Sequence, residues 1–220
     1  MTNHWVDLKN SDCFLVIGAN PAENHPASMK WITQAQENGA KLIVVDPRFN
    51  RTASRADVFA RLRSGTDIAF LGGMINYVLE NNLYHEEYVK YYTNAAMLVN
   101  PDFKGPADLD GLFSGYNAET RSYDKGTWTF QLDDEGKPKV DMTLRDPNCV
   151  FQLLKRHFGR LTPEMVEKIT GCPRDDFIKV VETFAATGQP GKAGSILYAM
   201  GQTAWKSASR PAWSVSAWAA

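Results

Sequence analysis

Apolar positions recur along this chain in runs whose lengths and spacings sort into strands and helices. Cys13 to Ile17, CFLVI, is apolar at every position and ends at Gly18, the pattern of a short strand covered on both faces. Lys41 to Val45, KLIVV, repeats the pattern and ends at Asp46-Pro47. Between them, after the turn GANPAENHP, Ser28 to Asn38 places Trp31, Ile32 and Ala35 on one side of a helix that Gly39 stops. Strand, helix and strand so close together predict a βαβ unit with parallel strands and a right-handed crossover. Ala56 to Leu62 is expected to form a third short strand. A helix capped by Thr66 or Ser64 then carries Ile68, Leu71, Ile75, Val78 and Leu79 as a buried stripe.

A short helix around Glu86 to Tyr92 follows, and the periodicity then breaks. From about residue 94 to 147, Pro101, Gly105, Pro106, Gly111 and Gly115 punctuate short apolar pieces, which predicts a loop-rich insertion into a domain spanning 1–203. Inside it, TWTFQL and KVDMTL flank DDEGKP and predict a surface β-hairpin. Helices are expected from Val150 to Phe158, Pro163 to Thr170 and Asp175 to Thr187, the second opened by Thr162 as cap and Pro163 in the first turn. Ser195 to Met200, SILYAM, returns as a buried strand ending at Gly201. The fold class is α/β: a Rossmann-like parallel sheet flanked by helices, with an insertion containing a β-hairpin. Residues 204–220 form an atypical tail, with three tryptophans, six alanines, four serines and no acid. That bias is expected of a GC-rich gene read out of frame, or of a weak amphipathic tail.

Charge narrows the partners. Lys and Arg number 24 against 25 for Asp and Glu, so no long-range field favours nucleic acid or an anionic membrane. No apolar run approaches the roughly 18 residues a membrane span requires, so no direct membrane span is expected and the chain as given reads as soluble. Cys13, Cys149 and Cys172 lie far apart without a CxxC pair, which points to core packing. Cys149 and Cys172 stand beside helix starts, where a lowered thiol pKa is the reactive alternative. His25 falls in the first strand-end loop, with turn packing and phosphate contact both open. No metal-ligand spacing and no nucleophile, base and acid constellation is present, so neither a catalytic nor a metal residue is assigned.

In an open parallel sheet, ligands sit outside the carboxyl ends of the strands, so GANPAENHP and DPRFNRT carry the candidate chemistry. Gly18 permits a sharp turn and close backbone approach, Asn20 offers donors and an acceptor, and the helix after Pro26 presents free N–H groups suited to a diphosphate. Asp46 stands where an acid binds ribose hydroxyls or a base edge, and Arg48 offers a fork of donors to phosphate or carbonyl oxygen. Ser64-Gly65-Thr66-Asp67 adds a backbone turn and a second carboxylate. Two acids near one nucleotide favour guanine, whose N1–H and exocyclic amine both donate. Each feature alone also has an ordinary account: a turn at Asp46-Pro47, a first-turn helix acid at Asp67, a bend at Asn20-Pro21.

Taken in order, IGANPAENHP, GAKLIVVDPR, RSGTDIAFLGG, TPE with an ITG helix end, and ILYAMGQT resemble the molybdopterin oxidoreductases over most of residues 13–203. The resemblance implies a molybdopterin guanine dinucleotide carrying molybdenum or tungsten, bound in part by Gly18, Asn20, Ala22 and Glu23 in the first loop. Asp46 and Arg48 match the second loop, Gly65 and Asp67 the third, and Gly201, Gln202 and Thr203 a fourth. That last loop commonly continues Gln-His in the family, whereas Ala204-Trp205 stands here. MTNHWVDLKN, LFSGYNAETRSYDKGTWTFQLDDEGKPKVD and CVFQLLKRHFGRLTPE further resemble the major subunits of respiratory, selenocysteine-type formate dehydrogenases. Formate as substrate is thereby implied, with two-electron oxidation to carbon dioxide by the parent subunit.

The same resemblance implies as partners the remainder of the catalytic subunit and an iron–sulfur electron-transfer subunit. It places the metal-bound cysteine or selenocysteine, and an iron–sulfur cluster, upstream of the matching segment. A selenocysteine codon read as a stop, with a start assigned at Met1, is the expected origin of this reading frame. The parent enzyme is expected in the periplasm, and the isolated chain in the cytoplasm and inactive. Two other classes remain open: a nicotinamide-dependent oxidoreductase, suggested by the βαβ unit and Asp46 but lacking GxGxxG, and a nucleotide-binding module without catalysis.

Overall fold

The computed structural model describes residues 4–199 and 201. Its strands are β1 (Cys13–Ile17), β2 (Lys41–Val45), β3 (Val58–Ala60), the two-residue β4 (Tyr116–Asn117) and β5 (Ser122–Tyr123), and β6 (Gly194–Tyr198). Four of them form a parallel sheet in the order β3-β2-β1-β6. The helices are α1 (Pro21–Asn24), α2 (Pro26–Glu37), α3 (Asp67–Glu80), α4 (Glu86–Tyr92), α5 (Val150–Phe158), α6 (Pro163–Thr170) and α7 (Arg174–Ala185). The chain divides into two compact units, one of residues 1–85 with 158–220 and one of residues 86–157.

In the first unit, the unbroken apolar runs are explained by what covers the sheet. Cys13, Leu15 and Ile17 of β1 join Ile43, Val45, Val58 and Ala60 in a core with α3, α6 and α7. The intervening Phe14 and Val16, with Leu42 and Val44, pack instead on Ile32 and Ala35 of α2. Because successive side chains point to opposite faces, helices on both faces demand apolar residues at successive positions of the central strands, and Lys41 at the amino end of β2 lies outside that cover. Ala60, next to the carboxyl end of β3, is buried as well.

The elements differ from expectation at several points. The turn GANPAENHP contains a short helix, α1, begun by Pro21 at its first position, where the missing N–H costs nothing. The next helix starts at Pro26 rather than Ser28, and its buried face is Ser28, Ile32 and Ala35, with Trp31 only half-buried. α3 is buried nearly all round, with Phe70 and Met74 in the main core and Ile68 and Leu79 half-buried, because α6 and α7 cover flanks that a one-sided stripe would leave wet. Thr66 occupies its cap position without a side-chain cap bond; the hydroxyl donates to Arg63 O at 2.6 Å instead. β6 was expected to be buried, yet Ser195 to Leu197 are half-buried, because β6 lies at the edge of the sheet among the described residues. Thr162 caps α6 as predicted, accepting from Met165 N.

In the second unit, the DDEGKP turn closes as an antiparallel hairpin end. Asp133 N donates to Lys137 O, Lys139 N donates to Gln131 O, and Gly136 takes the left-handed conformation. The arms do not continue as long paired strands; Phe130 and Val140 bridge instead to Val99 and Met97, so the 97–99 stretch takes the backbone partners an isolated hairpin would share. The β4-β5 ladder, unforeseen in the sequence, is closed by Asn117 Oδ1 accepting from Glu119 N and Thr120 N. Asp141 holds the following turn, accepting from Thr143 Oγ1, Thr143 N, Arg145 N and Asp146 N.

All three cysteines are buried and free. Burial pushes the Cys13 thiol up to about 12, with the Asp57 charge adding to it, and the Cys172 thiol up to about 11. Cys149 is raised too, again chiefly by burial, so neither helix start produces the lowered pKa of a reactive thiol. Among the described residues no helix is long and apolar enough to cross a membrane. Gln202, Thr203 and the 204–220 tail lie outside the described residues.

Candidate functional site

Parallel pairing brings the carboxyl ends of β3, β2, β1 and β6 to one edge, and the segments that follow them enclose a cavity of about 350 Å³. Gly18, Ala19 and Asn20 line it after β1, joined by Asn24 at the end of α1. Asp46, Pro47 and Arg48 line it after β2, and Leu62, Ser64, Gly65 and Asp67 after β3. Ala199 and Gly201 complete the wall after β6. Backbone geometry explains the glycines: Gly18 and Gly65 have φ of 58° and 81°, a region a side chain enters only with strain. Gly201 lies so close to the first loop that a Cβ there would meet the Gly18 carbonyl oxygen.

Asp46 is 7% exposed. Its Oδ1 accepts from Arg48 N at 2.8 Å, an Asx turn that folds the chain back and brings Arg48 to the rim. Among the described residues Oδ2 accepts no hydrogen bond, so half of the carboxylate stands ready for a ligand donor. Asp67 begins α3, where the free N–H groups of a 14-residue helix favour negative charge. Its loop is tied down from far along the chain: Arg63 N donates to Thr170 O at 2.8 Å, and the Arg63 guanidinium reaches the carbonyls of Lys168 and Ile169.

Of the residues singled out in the sequence, Gly18, Asn20, Asp46, Arg48, Gly65, Asp67 and Gly201 come together around this one cavity. Ala22 and Glu23 do not line it. Ala22 N donates to Thr52 Oγ1 at 3.1 Å, while Glu23 accepts from the Asn20 amide and faces Arg51 at 3.8 Å. The Asn20 side chain, expected to face a ligand, is spent inside the protein, since its Oδ1 accepts from both Thr52 N and Thr52 Oγ1. The Asn20 side-chain carbonyl oxygen is therefore not available to a ligand, which leaves the loop backbone and Asn24 facing the cavity. His25 packs against Trp5 with the rings tilted and their centroids 5.3 Å apart, and is not in the cavity wall.

Leu62 and Ala199 were not singled out as wall residues, and Ala19, Asn24, Pro47 and Ser64 were reached only as members of their loops. Ser64 sat inside the loop already singled out, and Leu62 and Ala199 follow strands, so strand-end position was a usable signal. Asn24 needed α1 to be visible. Thr52, wholly buried behind the wall, ends the DPRFNRT loop already singled out, but nothing in the sequence pointed to its own role.

In chemical terms, two carboxylates, one guanidinium, glycine backbone and the apolar faces of Leu62 and Pro47 suit a nucleoside with donors on its base and an anionic group beyond it. The volume sits at the small end of ligand pockets, which run from about 300 to 1,000 Å³, so it has room for one nucleoside-sized group. Among the described residues no group of three or more His, Cys, Asp or Glu side chains is placed to hold a metal ion. A wider depression of about 440 Å³ beside Gln36 and Arg55 is open to solvent and lined by no residue that follows a strand's carboxyl end; Gln36 spends its amide on Arg55 O and Asp57.

The family described as molybdopterin oxidoreductase matches residues 1–218. The formate dehydrogenase subunit alpha of Megalodesulfovibrio gigas is 53% identical over 203 residues, 92% of this chain and 20% of the relative. The nitrate-inducible formate dehydrogenase major subunit of Escherichia coli K12 is 54% identical over 204 residues, again 92% of this chain and 20% of the relative. The chain thus spans about a fifth of the length of these relatives. Among solved structures, acetylene hydratase from Pelobacter acetylenicus matches 94% of this chain and 22% of its own, at a TM-score of 0.58 and 24% identity, a likeness of fold alone.

Proposed function

The chain belongs to the molybdopterin oxidoreductase family, and from that premise we propose that it forms part of the molybdopterin guanine dinucleotide site in a formate dehydrogenase catalytic subunit. The observation that carries this reading is the convergence of four strand-end segments, with Asp46 and Asp67, on one cavity. A guanine base donates from N1–H and from its exocyclic amine. Asp46 Oδ2, still without a partner among the described residues, is the acceptor assigned to that edge. Arg48, exposed at the rim, is assigned to phosphate or carbonyl oxygen, and the glycines Gly18 and Gly65 let backbone N–H groups come close. Asp67 is the second carboxylate of the nucleoside pocket.

When bound in the whole subunit, the metal and its pterins supply the two-electron chemistry, in which formate becomes carbon dioxide, a proton and two electrons. The metal would be molybdenum or tungsten, iron–sulfur clusters, one of them in a partner subunit, would take up the electrons, and the parent enzyme would work in the periplasm. This chain's residues bind and orient the nucleotide end and contribute no group to the reacting centre. Names of relatives that are formate dehydrogenases over 92% of this chain support the substrate.

Two measurements test the proposal. Calorimetry on the 220-residue chain should detect GDP binding and weaker ADP binding; a folded chain that binds neither, or prefers ADP, overturns the guanosine assignment. The chain purified from a host that makes the cofactor should hold little molybdenum or tungsten and reduce no dye with formate. Stoichiometric metal with turnover would show that the chain carries the reaction itself.

A further inference from the structure

Two of the cavity's four walls are built by loops that have no regular pairing with each other. The segment after β1 runs from Gly18 to Asn24, and the segment after β2 from Asp46 to Arg48 and on to the turn at 50–55. What joins them is Thr52, wholly buried and outside the cavity wall. Its hydroxyl donates to Asn20 Oδ1 at 2.8 Å and accepts from Ala22 N at 3.1 Å, and its own N–H reaches Asn20 Oδ1 at 3.3 Å. Around this centre, Asn50 Nδ2 donates to Ala19 O, and the Asn20 amide donates to Glu23, which faces Arg51. Every polar atom of the Thr52 side chain and the Asn20 carbonyl oxygen is therefore used between the two loops rather than toward a ligand.

We infer that Thr52 is a positioning residue for the nucleotide: it clamps the first loop to the second and so fixes the spacing between the Gly18–Asn20 backbone and Asp46–Arg48. The inference rests on the nucleotide reading of the cavity and adds a residue that touches no ligand. The physical reason is the narrowness of the alternatives. A buried hydroxyl that both donates and accepts cannot be replaced by a methyl without leaving the Ala22 N–H unpaired and one lone pair of Asn20 unused. The first loop, with φ of 58° at Gly18 and a four-residue helix at Pro21–Asn24, has little other regular structure to hold it.

The test compares Thr52→Val, which keeps the shape and loses the hydroxyl, with Thr52→Ser, which keeps the hydroxyl. GDP binding to the full chain should weaken on the order of tenfold in Thr52→Val, the size expected when a buried hydrogen-bonded pair is broken, and stay within about twofold in Thr52→Ser. Hydrogen exchange at the Ala22 amide should accelerate in Thr52→Val while β1 amides keep their protection, a local signature that a general loss of stability would not give. Val181→Ala, on the buried face of α7 and away from the cavity, serves as the destabilised control and should bind GDP as the unaltered chain does. Should Thr52→Val not fold, Asn20→Ala breaks the same clamp from the other loop and should show the same loss. Equal GDP affinity in a folded Thr52→Val, or equal loss in Thr52→Ser, overturns the clamp while leaving the nucleotide site standing. A folded unaltered chain that binds no GDP instead overturns the nucleotide reading, and the positioning role with it.

Discussion

Replacing Gly73 with alanine should destabilise the first unit, although alanine is the better helix former. Gly73 lies in the middle of α3, where the change alone is worth about 1 kcal/mol in favour of alanine. The surroundings oppose it. A Cβ built on Gly73 would meet Val166 Cγ2 at 2.2 Å and Phe177 Cζ at 3.2 Å. Both neighbours are fully buried, and Phe177 is held edge-on against Phe70 at a centroid distance of 5.2 Å, so neither can swing into free space. Overpacking of this kind costs about 1–3 kcal/mol, and the depth of the Val166 overlap argues for the upper half. The net loss is then roughly 1–2 kcal/mol, or about 2–8 °C in Tm for a chain of this size.

Urea and thermal unfolding would measure the loss, with Gly72→Ala as the internal comparison. There the Cβ meets Leu161 Cδ1 at 2.5 Å, the far end of a half-buried side chain that can rotate away. Gly72→Ala should therefore be at least as stable as the unaltered chain, by up to the helix-propensity gain of about 1 kcal/mol. Shrinking the obstacle should also help: Gly73→Ala with Val166→Ala should lose at least about 0.5 kcal/mol less than the sum of the two single losses. A Gly73→Ala chain as stable as the original, or strictly additive with Val166→Ala, would refute the close approach of α3 and α6.

Asp46→Asn should weaken GDP binding by roughly 1–3 kcal/mol, because the amide that replaces Oδ2 would meet guanine donors with a donor; unchanged calorimetric affinity counts against the assignment. The three buried thiols should resist a thiol reagent at pH 8 in the folded chain and all react in denaturant; rapid labelling of any one in the folded state contradicts their burial. Since folding raises Cys13 from 9.0 to about 12 and Cys172 from 9.0 to about 11, the folded state holds their protons more tightly. Their contribution is complete below pH 9 and should fade as pH rises through 11 to 12, seen as a falling urea midpoint; a midpoint that rises there would reverse the sign. Asp141, whose carboxyl the Thr143 hydroxyl and then the Asp146 N–H hold well below the usual carboxylate range, should titrate by NMR below its ordinary 3.8. Its contribution to the 141–146 turn is present above that value and lost as pH falls through the lowered one, and Asp141→Asn should speed exchange at Arg145 and Asp146; slow exchange in that variant would show the carboxylate is dispensable.

Much of the scaffold could be read from the chain because its signals are local. CFLVI and the LIVV of KLIVV are unbroken apolar runs, so they had to be covered on both faces; Thr162-Pro163-Glu164 carries the cap, first-turn proline and early acid of a helix start, and α6 begins there. Strand-end position points to Gly18, Asp46, Arg48, Gly65 and Asp67 from the sequence alone, since the end of a parallel strand is where side chains are free of the sheet. The stripe on α3, the burial of β6 and the reach of the 127–144 hairpin were misjudged for one shared reason. Each depends on which distant segment covers a surface: α6 and α7 on α3, the sheet edge at β6, and the 97–99 stretch on the hairpin arms.

The sequence by itself therefore determined the elements and the candidate chemistry, while the tertiary structure decided which groups that chemistry can use. Asn20 and Asp46 looked alike as polar residues after strands. Thr52, 32 positions from Asn20, accepts the first into an internal network, whereas the turn through Arg48 N spends only one oxygen of the second. No local pattern encodes that division, because a hydrogen-bonding group has a fixed number of partners and only the folded chain settles whether a neighbour in space or a ligand fills them.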